Sequence, residues 1–464
     1  MKKIFFYTLI AAGVLNACQT LDQEPSTSLS AETAIESIDD LANAVNGAYY
    51  LATYGDQFTL ASELSFYADE LGPDSNVDKG SGQVASRIHE RSITENDSWN
   101  AYGYLYMAIA NINKAIEKAK NLEDQDAAAP LVAELIGMRG LFHFHLATFF
   151  APIPTSGSSN TMGIVLSTEV YPLDYHGARA TLEKTYQTII EDLTTYINAG
   201  VNKEPYDGHL NYWAALAIRA RAYLYWGKNA EALADAKKVI EEGPYTLYTR
   251  ENYVSVWTGD EGSEIILQYV QSDDYNAQRY APGYYTHPDG YTEYLVTKDF
   301  FDFMQENPKD IRSQMVAWRE SENGKGTPGY FPMKYPGKKG SATPLYSHSI
   351  KVVRLAEMYL IAAEASFKTS GAAAAVPYLN DLRKTRIEDY ADVATTDLDD
   401  ILNERRKELF AEGQIAFDFW RNGKSVKSGP ATYEPGNDFN VLPIPKEELD
   451  VCGDVLVQNP GYGK

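Results

Sequence analysis

The sequence predicts a mainly α-helical protein in which helix pairs form a curved spine and irregular, loop-rich segments add a few short strands. Three observations carry this prediction. Long segments repeat apolar residues at helical spacing, one segment near residue 360 is apolar on almost every side, and residues 243–348 are instead rich in Gly, Pro and Tyr. We therefore expect an N-terminal helical region over 30–242 and a C-terminal region over 243–464.

The central element is the segment Ile350–Arg386, which predicts a helix, a tight turn and a second helix. Because Val352–Ala365 is apolar almost all round, the first helix should be buried in a large domain. Its polar exceptions leave one narrow stripe that we expect to face water: Arg354, Glu357, Glu364 and Lys368. Gly371 should end this helix, and Pro377 should lie in the first turn of the next one.

The N-terminal region predicts a series of further helices. The first should start at a Ser30 cap and run to Tyr50, and residues 69–98 should be loop-like. Further helices are expected at about 98–120, 131–150, 181–199, 211–227 and 229–242. The last two resemble a tetratricopeptide repeat in the positions of Ala220, Tyr223, Leu224, Gly227, Ala232, Leu233, Ala236 and Ile240. Such repeats bury their faces only by stacking, which predicts three or four units.

The N-terminus predicts export and lipidation. Lys2 and Lys3 precede an apolar run, Ile4–Leu15, that is too short to span a bilayer. The run ends in Leu15-Asn16-Ala17-Cys18, which resembles the lipobox of bacterial lipoproteins and implies acylation of Cys18. Residues 1–17 would then be a signal peptide and 18–29 a flexible tether. An ordinary secretory signal with a chance cysteine is the alternative.

Composition limits the partners. The formal net charge of −23 argues against nucleic acid and against polyanionic substrates. Cys452 is the other cysteine, so no internal disulfide is expected once Cys18 is lipidated, and Cys452 should be an inert buried thiol. The chain contains 34 Tyr and 6 Trp, whose flat faces and polar edges suit sugar rings and peptide backbones.

The C-terminal third resembles the SusD/RagB family of outer-membrane nutrient-binding lipoproteins. The resemblance rests on ordered sequence blocks: Arg354–Ala365, Tyr378–Arg383, Ile401–Gly413, Phe417–Arg421, Leu442–Glu448 and Gln458–Tyr462. Trp99, Tyr102 and the helix at 131–150 resemble the family's N-terminal half. Gln414 departs from the family pattern, since many members have an arginine there, and Pro377 interrupts a helix that is usually uninterrupted.

The resemblance implies a SusD-like fold without catalysis. The sequence contains no cofactor motif, and we assign no residue as a metal ligand. The resemblance implies a lipid-anchored protein exposed on the outer membrane that captures an oligosaccharide for a SusC-like, TonB-dependent transporter. Acidic residues soon after Cys18 resemble the surface-export signal of Bacteroidota lipoproteins. Capture of peptides is the alternative, and a glycoside hydrolase is a further one.

Sugar capture needs aromatic faces and polar side chains in surface loops. The aromatic candidates are Tyr280, Tyr284, Tyr285, Tyr291, Trp318 and Tyr330. The polar candidates are Asp69, Asn76, Arg87 and Asn100. The resemblance supports these regions, and Trp99 is expected to pack rather than bind.

Other polar groups predict structural roles. His143 and His145 are two residues apart and so point to different sides of a helix, which makes a metal pair unfavourable. Glu404, Glu408 and Glu412 share a helical face, but basic residues alternate with them and the resemblance implies a structural role. No nucleophile-elbow, zinc-protease, P-loop or dinucleotide fingerprint occurs in the sequence.

Overall fold

The computed structural model describes residues 35–56, 58–77, 84–97, 100–172, 174–322, 324, 326–428 and 431–463. The expected signal peptide, Cys18, the tether, the Ser30 cap and Trp99 lie outside these residues. Helices account for most of the regular structure, as the sequence predicts, and the strands are short.

The helices are α1 (Ile38–Ala52), α2 (Tyr67–Glu70), α3 (Val84–His89), α4 (Asn100–Ala119), α5 (Gln125–Phe150), α6 (Leu182–Ala199), α7 (Tyr212–Trp226), α8 (Asn229–Glu242), α9 (Pro282–Tyr285), α10 (Lys298–Gln305), α11 (Leu355–Ser370), α12 (Ala372–Lys384), α13 (Leu398–Leu409), α14 (Ile415–Arg421) and α15 (Lys446–Cys452). Within the described ranges, none of them is both long and apolar enough to cross a membrane.

The strands are β1 (Ser75–Val77), β2 (Met162–Val165), β3 (Arg179–Thr181), β4 (Ile265–Tyr269), β5 (Tyr294–Val296), β6 (Val316–Arg319), β7 (Gly329–Pro332), β8 (Ile350–Arg354), β9 (Val426–Ser428) and β10 (Ala431–Tyr433). Four of them form an antiparallel sheet in the order β1-β5-β7-β6, and the others pair as β2-β3, β4-β8 and β9-β10. The segment 69–98, which we expected to be loop, therefore contains the end of α2 together with β1 and α3.

Long helices form a continuous packed series. In chain order, α4 packs on α5, α5 on α6, α6 on α7 and α7 on α8, and α11 then packs between α8 and α12. The apolar stripes of consecutive helices pack together in the main core, which explains why helices that follow one another in the chain are neighbours. The turn between α7 and α8 requires a left-handed residue, and Gly227 supplies it with φ 77°.

The first helix begins later than the sequence suggested. Ser37 caps α1, and its hydroxyl accepts a hydrogen bond from the backbone N–H of Asp40. The Asp40 carboxylate accepts a bond from the backbone N–H of Ser37 in return. This reciprocal pair defines a helix start at Ile38.

Both helices of the central pair begin at residues other than those predicted. Ile350–Arg354 is a strand that pairs with Ile265–Tyr269, so the helix starts only at Leu355. A partner about 85 residues earlier in the chain thus decides the local conformation. The prediction for Pro377 was also wrong, because α12 begins at Ala372 and holds this proline more than one turn inside.

Of the predicted polar stripe, Lys368 is exposed, but Arg354, Glu357 and Glu364 are buried, so the prediction was wrong for these three. Glu357 and Glu364 are fully buried. Arg221 binds Glu357 with an Nη2–Oε2 distance of 2.5 Å, and Arg421 pairs with Glu364. Buried carboxylates persist only when paired, so Glu357 and Glu364 meet cations from other helices instead of solvent.

A larger buried ion network joins the two halves of the C-terminal region. Glu408 contacts three guanidinium groups, those of Arg312, Arg354 and Arg386. Glu404, one turn earlier on α13, and Glu412, three residues after the end of this helix, also have buried, paired side chains, so the predicted shared helical face holds only for Glu404 and Glu408. The three carboxylates therefore stabilise packing, which is the structural role that we expected.

Candidate ligand-binding surface

Three of the aromatic candidates gather with two residues that we did not predict. The rings of Tyr284 and Tyr291 have centroids 4.9 Å apart, and those of Tyr284 and Tyr346 are 5.4 Å apart. The guanidinium of Arg279 is fully exposed, and its interactions with Tyr284, Tyr346 and Tyr291 raise its pKa. Tyr280 is partly buried beside them. We call this group the Arg279 cluster: Arg279, Tyr280, Tyr284, Tyr291 and Tyr346.

Two glycines allow the cluster to assemble. A Cβ at Gly290 would lie 1.9 Å from the carbonyl oxygen of Tyr284, and a Cβ at Gly283 would lie 2.6 Å from that of Leu345. Because glycine has no Cβ atom, the chain at Gly290 can approach closely enough for the backbone N–H of Tyr291 to donate to the Tyr284 carbonyl at 2.9 Å. The loop before Tyr346 can likewise reach α9. The Gly and Pro residues of this region thus serve close backbone approach.

Tyr285 does not belong to the surface, and its assignment as a ligand residue is corrected. Its side chain is 1% exposed, and its hydroxyl donates to the buried carboxylate of Glu63 at 2.6 Å. Its ring packs on Phe66 and Tyr291. Tyr285 therefore supports the Arg279 cluster from below.

Two further candidates, with one unpredicted neighbour, form a second aromatic group on the four-stranded sheet. Trp318 and Tyr330 are paired across β6 and β7, with centroids 5.0 Å apart, and Phe301 stacks on Tyr330 at 4.5 Å. Trp318 lies on the edge strand β6 and is 53% exposed. We call these three residues the Trp318 platform. An exposed indole on a fixed strand can stack on a ligand at low conformational cost.

Polar contacts tie the Arg279 cluster to the Trp318 platform. Arg319 lies beside Trp318, and its Nη2 is 2.6 Å from Nε2 of His287. Burial, and then the Arg319 charge, lower the pKa of His287 to about 4, so the imidazole is neutral at physiological pH. The hydroxyl of Ser321 also donates to Asp289 at 2.9 Å. The loop between the tyrosines of the cluster is thereby fixed to the end of β6.

The polar candidates occupy different places. Asn76 is exposed on β1, an edge strand, and Asn100 begins α4 and is half-buried. Arg87 is ion-paired with Asp97. Residues 78–83 and 98–99, which flank these side chains, lie outside the described residues. Contact of the three side chains with a ligand stays a prediction.

Asp69 does not lie on the surface, and its assignment as a ligand residue is corrected. It is 2% exposed, and its Oδ2 accepts a hydrogen bond from the backbone N–H of Gly413 at 2.5 Å. Burial raises the pKa of its carboxyl to about 8. This carboxyl therefore connects α2 to the start of α14 inside the protein.

Of the two histidines of α5, His143 is buried and His145 is partly buried, and the two rings have different partners. The Nε2 atom of His143 accepts from the backbone N–H of Ser167, whereas Nε2 of His145 lies 2.5 Å from the Tyr269 hydroxyl. Burial lowers the pKa of each to about 3. In the described ranges, no group of three or more His, Cys, Asp or Glu side chains is arranged to hold a metal ion.

A partly open cavity of about 70 Å³ lies between α5 and β8. It is lined partly by His145, Arg221 and Gln414. Its volume is well below the roughly 300–1,000 Å³ of ligand pockets. This cavity is therefore too small to hold an oligosaccharide.

Sequence reasoning did not identify Arg279 and Tyr346. Arg279 lies in the same aromatic loop as Tyr280, so its charge could have been noticed. Tyr346 lies more than 60 residues away and reaches the cluster through the close approach at Gly283, which no local pattern reports.

Family models match both halves of the chain. A SusD-like model, described as starch-binding associating with outer membrane, matches residues 20–224, and a model of the SusD family matches residues 252–462. The chain is also 23% identical over 527 residues to SusD-like protein P2 of Formosa agariphila, with all of both chains covered.

Solved structures share the fold. A SusD superfamily protein from Bacteroides thetaiotaomicron is 28% identical, with a TM-score of 0.84 over 91% of this chain and 100% of the other. Surface glycan-binding protein A from the same species, solved in complex with laminarihexaose, is 19% identical. Its TM-score is 0.74 over 91% of this chain and 99% of the other, which demonstrates a common fold.

Proposed function

Because the chain belongs to the SusD family, we propose that it binds an oligosaccharide at the cell surface and passes it unchanged to a SusC-like, TonB-dependent transporter. The family description, which names starch binding and the outer membrane, supports this proposal. A structural neighbour that holds laminarihexaose supports a glycan as the ligand class.

One observation carries the proposal most directly: Trp318 is half-exposed on a strand next to a tyrosine cluster that presents an exposed cation, Arg279. Aromatic faces pack against the C–H faces of sugar rings, and the Arg279 guanidinium and the tyrosine hydroxyls can bind sugar hydroxyls. The rings are fixed by Phe301, by the turn at Gly290 and by the contact between His287 and Arg319. Such preorganisation reduces the entropic cost of binding.

The proposal contains no catalytic step. Glycosidases place two carboxyl groups on either side of the bond that is cleaved. Glu63, the carboxyl group beside Tyr285, is buried and accepts a hydrogen bond from the Tyr285 hydroxyl, and Asp69 is buried against the backbone of Gly413. They cannot reach a sugar held on the exposed side of the cluster.

Affinity gel electrophoresis tests ligand binding. Protein that begins after Cys18 is run through native gels that contain laminarin, starch or other polysaccharides. We expect one of them to retard the wild type. Tyr284→Ala and Trp318→Ala should each weaken that binding about tenfold, as for a central aromatic contact worth ~1–2 kcal/mol.

Tyr175→Ala is the matched control, because Tyr175 is an exposed tyrosine outside both aromatic groups. It should migrate like the wild type in every gel. If peptides bind and no polysaccharide does, peptide capture replaces the proposal. Turnover of a bound oligosaccharide would instead show an enzyme.

Anchoring and delivery need separate tests. Cys18→Ala should move the protein from the outer-membrane fraction to the soluble fraction, because one hydrophobic run without acyl chains does not anchor it. The lipidated protein, affinity-tagged and purified from its native membrane in mild detergent, should bring down a TonB-dependent barrel. Membrane retention of Cys18→Ala, or recovery without such a barrel, would contradict these two parts.

A further inference from the structure

Four tyrosines outside the predicted set form a continuous row on the surface. Ring centroids are 5.1 Å apart for Tyr275 and Tyr50, 5.5 Å for Tyr50 and Tyr54, and 5.2 Å for Tyr54 and Tyr104. Tyr50 is 48% exposed and Tyr54 is 36% exposed. The rings come from the end of α1, from α4 and from a loop more than 150 residues later. We call these four residues the Tyr50 row.

The row is held rigidly. The hydroxyl of Tyr275 donates to the carbonyl oxygen of Tyr50 at 2.8 Å. Gly55 lies so close to the same loop that a Cβ there would approach the carbonyl oxygen of Asn276 to 2.4 Å. The Asn276 amide in turn donates to the Ser272 carbonyl at 2.6 Å, which closes the loop on itself. The rings are therefore preorganised and do not depend on mobile side chains.

The chemistry of the row fits a neutral, hydroxyl-rich ligand. It offers aromatic faces and the hydroxyls of two exposed tyrosines, Tyr50 and Tyr54. Among the described residues, Asp56 is a charged side chain that contacts the row, and it lies 3.5 Å from the Tyr104 hydroxyl. Desolvation and then the Asp56 charge raise the pKa of Tyr104, so the phenol stays neutral. A negative charge beside the rings disfavours anionic ligands, and sugar rings satisfy both the apolar faces and the hydroxyls.

The row is adjacent to the Arg279 cluster. Tyr275 and Arg279 are four residues apart, and such a segment spans at most about 14 Å when fully extended. Ala277 and Ala281 are buried between the two groups and pack with Tyr280 and Tyr346.

A second link joins the row to the loop that precedes Tyr346. Asp273 accepts hydrogen bonds from the backbone N–H groups of Ala342 and Thr343 at 3.0 and 3.1 Å. It also accepts one from the hydroxyl of Thr343 at 2.8 Å. The loop that presents Tyr275 therefore also positions Tyr346 of the Arg279 cluster, so the row and the cluster belong to one rigid surface.

We propose that the Tyr50 row is a second subsite for the same neutral oligosaccharide, occupied by the part of a long chain that extends beyond the Arg279 cluster. The inference rests on the proposed function. A chain that contacts both groups gains affinity without a second diffusional encounter, because the two sites act on one ligand. Long chains should therefore bind tighter than short ones, and the row should supply the difference.

Calorimetric titration tests this subsite with the polysaccharide that retards the wild type in gels, and with its trisaccharide and octasaccharide. The variant Tyr50→Ala/Tyr54→Ala changes two exposed rings. It should lower affinity for the octasaccharide about tenfold and leave that for the trisaccharide unchanged. Trp318→Ala should weaken both ligands, and the control Tyr175→Ala should weaken neither.

The outcomes separate the two proposals. If the double variant, with a wild-type melting temperature, binds the octasaccharide as tightly as the wild type, the second subsite is wrong and the proposed function stands. The same conclusion follows if it loses both oligosaccharides equally. If no polysaccharide binds the wild type, the proposed function fails and the subsite fails with it. Tyr54→Phe, which keeps the ring, should retain most of the octasaccharide affinity.

Discussion

Replacing Glu408 by Gln should destabilise the protein more than any change of a surface charge. The side chain is completely buried. Its Oε1 lies 2.6 Å from Nη1 of Arg354 and 3.0 Å from Nη2 of Arg386, and its Oε2 lies 3.1 Å from Nη1 of Arg312. The hydroxyl of Tyr253 also donates to it at 3.4 Å. Glutamine keeps the shape but removes the charge that balances the three guanidinium groups.

The size of the effect follows from burial. Breaking a buried ion pair by removing one charge costs about 3–5 kcal/mol, because the remaining charge is left uncompensated. The unfolding entropy is about 2.1 cal/mol/K per residue, or roughly 0.9 kcal/mol/K for about 430 residues. The melting temperature of Glu408→Gln should therefore fall by about 3–6 °C.

Thermal unfolding followed by circular dichroism measures this shift, with urea titration as a check that cooperativity is retained. The matched control is Glu241→Gln, whose pair with Lys237 is 3.5 Å long with both side chains more than half exposed. That pair is worth at most about 0.5 kcal/mol, so the control should shift by less than about 1 °C. A shift of Glu408→Gln as small as that of the control would refute the assigned role of the network.

The pH dependence gives a second test. Burial opposes ionisation of Glu408, but Arg386, Arg354 and Arg312 override it and hold its pKa well below its usual value of 4.5. A depressed carboxyl pKa contributes stability that is present above the unfolded value and is lost as the pH falls through the folded value. The difference between wild type and Glu408→Gln should thus be constant above about pH 5.5 and shrink only in stronger acid.

Three other substitutions have distinct expected results. Burial raises the pKa of the Asp69 carboxyl from 3.8 to about 8, so its contribution to the free energy of unfolding is full below pH 3.8 and is lost as the pH rises to about 8. Asp69→Asn should therefore reduce the loss of stability that urea titrations show between pH 5 and pH 8. The amide oxygen can still accept from Gly413, and an unchanged slope would contradict the assignment. Gly290→Ala should abolish polysaccharide retardation with an unchanged far-ultraviolet spectrum, because its Cβ would meet the Tyr284 carbonyl at 1.9 Å; wild-type migration would argue against this turn. Trp318→Ala should change stability by less than about 0.5 kcal/mol, as for an exposed side chain, and a larger loss would indicate packing instead of binding.

Helical periodicity predicted most of the frame but not its contacts. The predicted helices at 211–227 and 229–242 match α7 and α8 closely, since their apolar spacing and the turn glycine Gly227 are local signals. The strand at Ile350–Arg354 was missed because it depends on a partner, β4, far away in the chain. The charged stripe of α11 was assigned to water because a face that meets buried cations has the same spacing as a face that meets solvent.

The candidate surface was predicted only in part, because some of its residues are placed by contacts with distant parts of the chain. Tyr284 and Tyr285 are adjacent in α9, a short helix that the sequence did not predict, so no local pattern separates the surface ring from the buried one. Which of the two is buried depends on Glu63, more than 200 residues earlier. The Tyr50 row likewise joins α1 to a distant loop, and only tertiary structure could reveal it.

The buried ion network and the exposed rings are linked through one segment. Tyr330 lies on β7, and four residues later Lys334 is completely buried. The Nζ atom of Lys334 donates to the carbonyl oxygen of Glu408 at 2.7 Å and is paired with Glu412. The strand that supports the Trp318 platform is therefore fixed to the centre of the network. A loss of that network should loosen the platform as well as the core, so Glu408→Gln should weaken polysaccharide binding although the side chain is remote from any ligand.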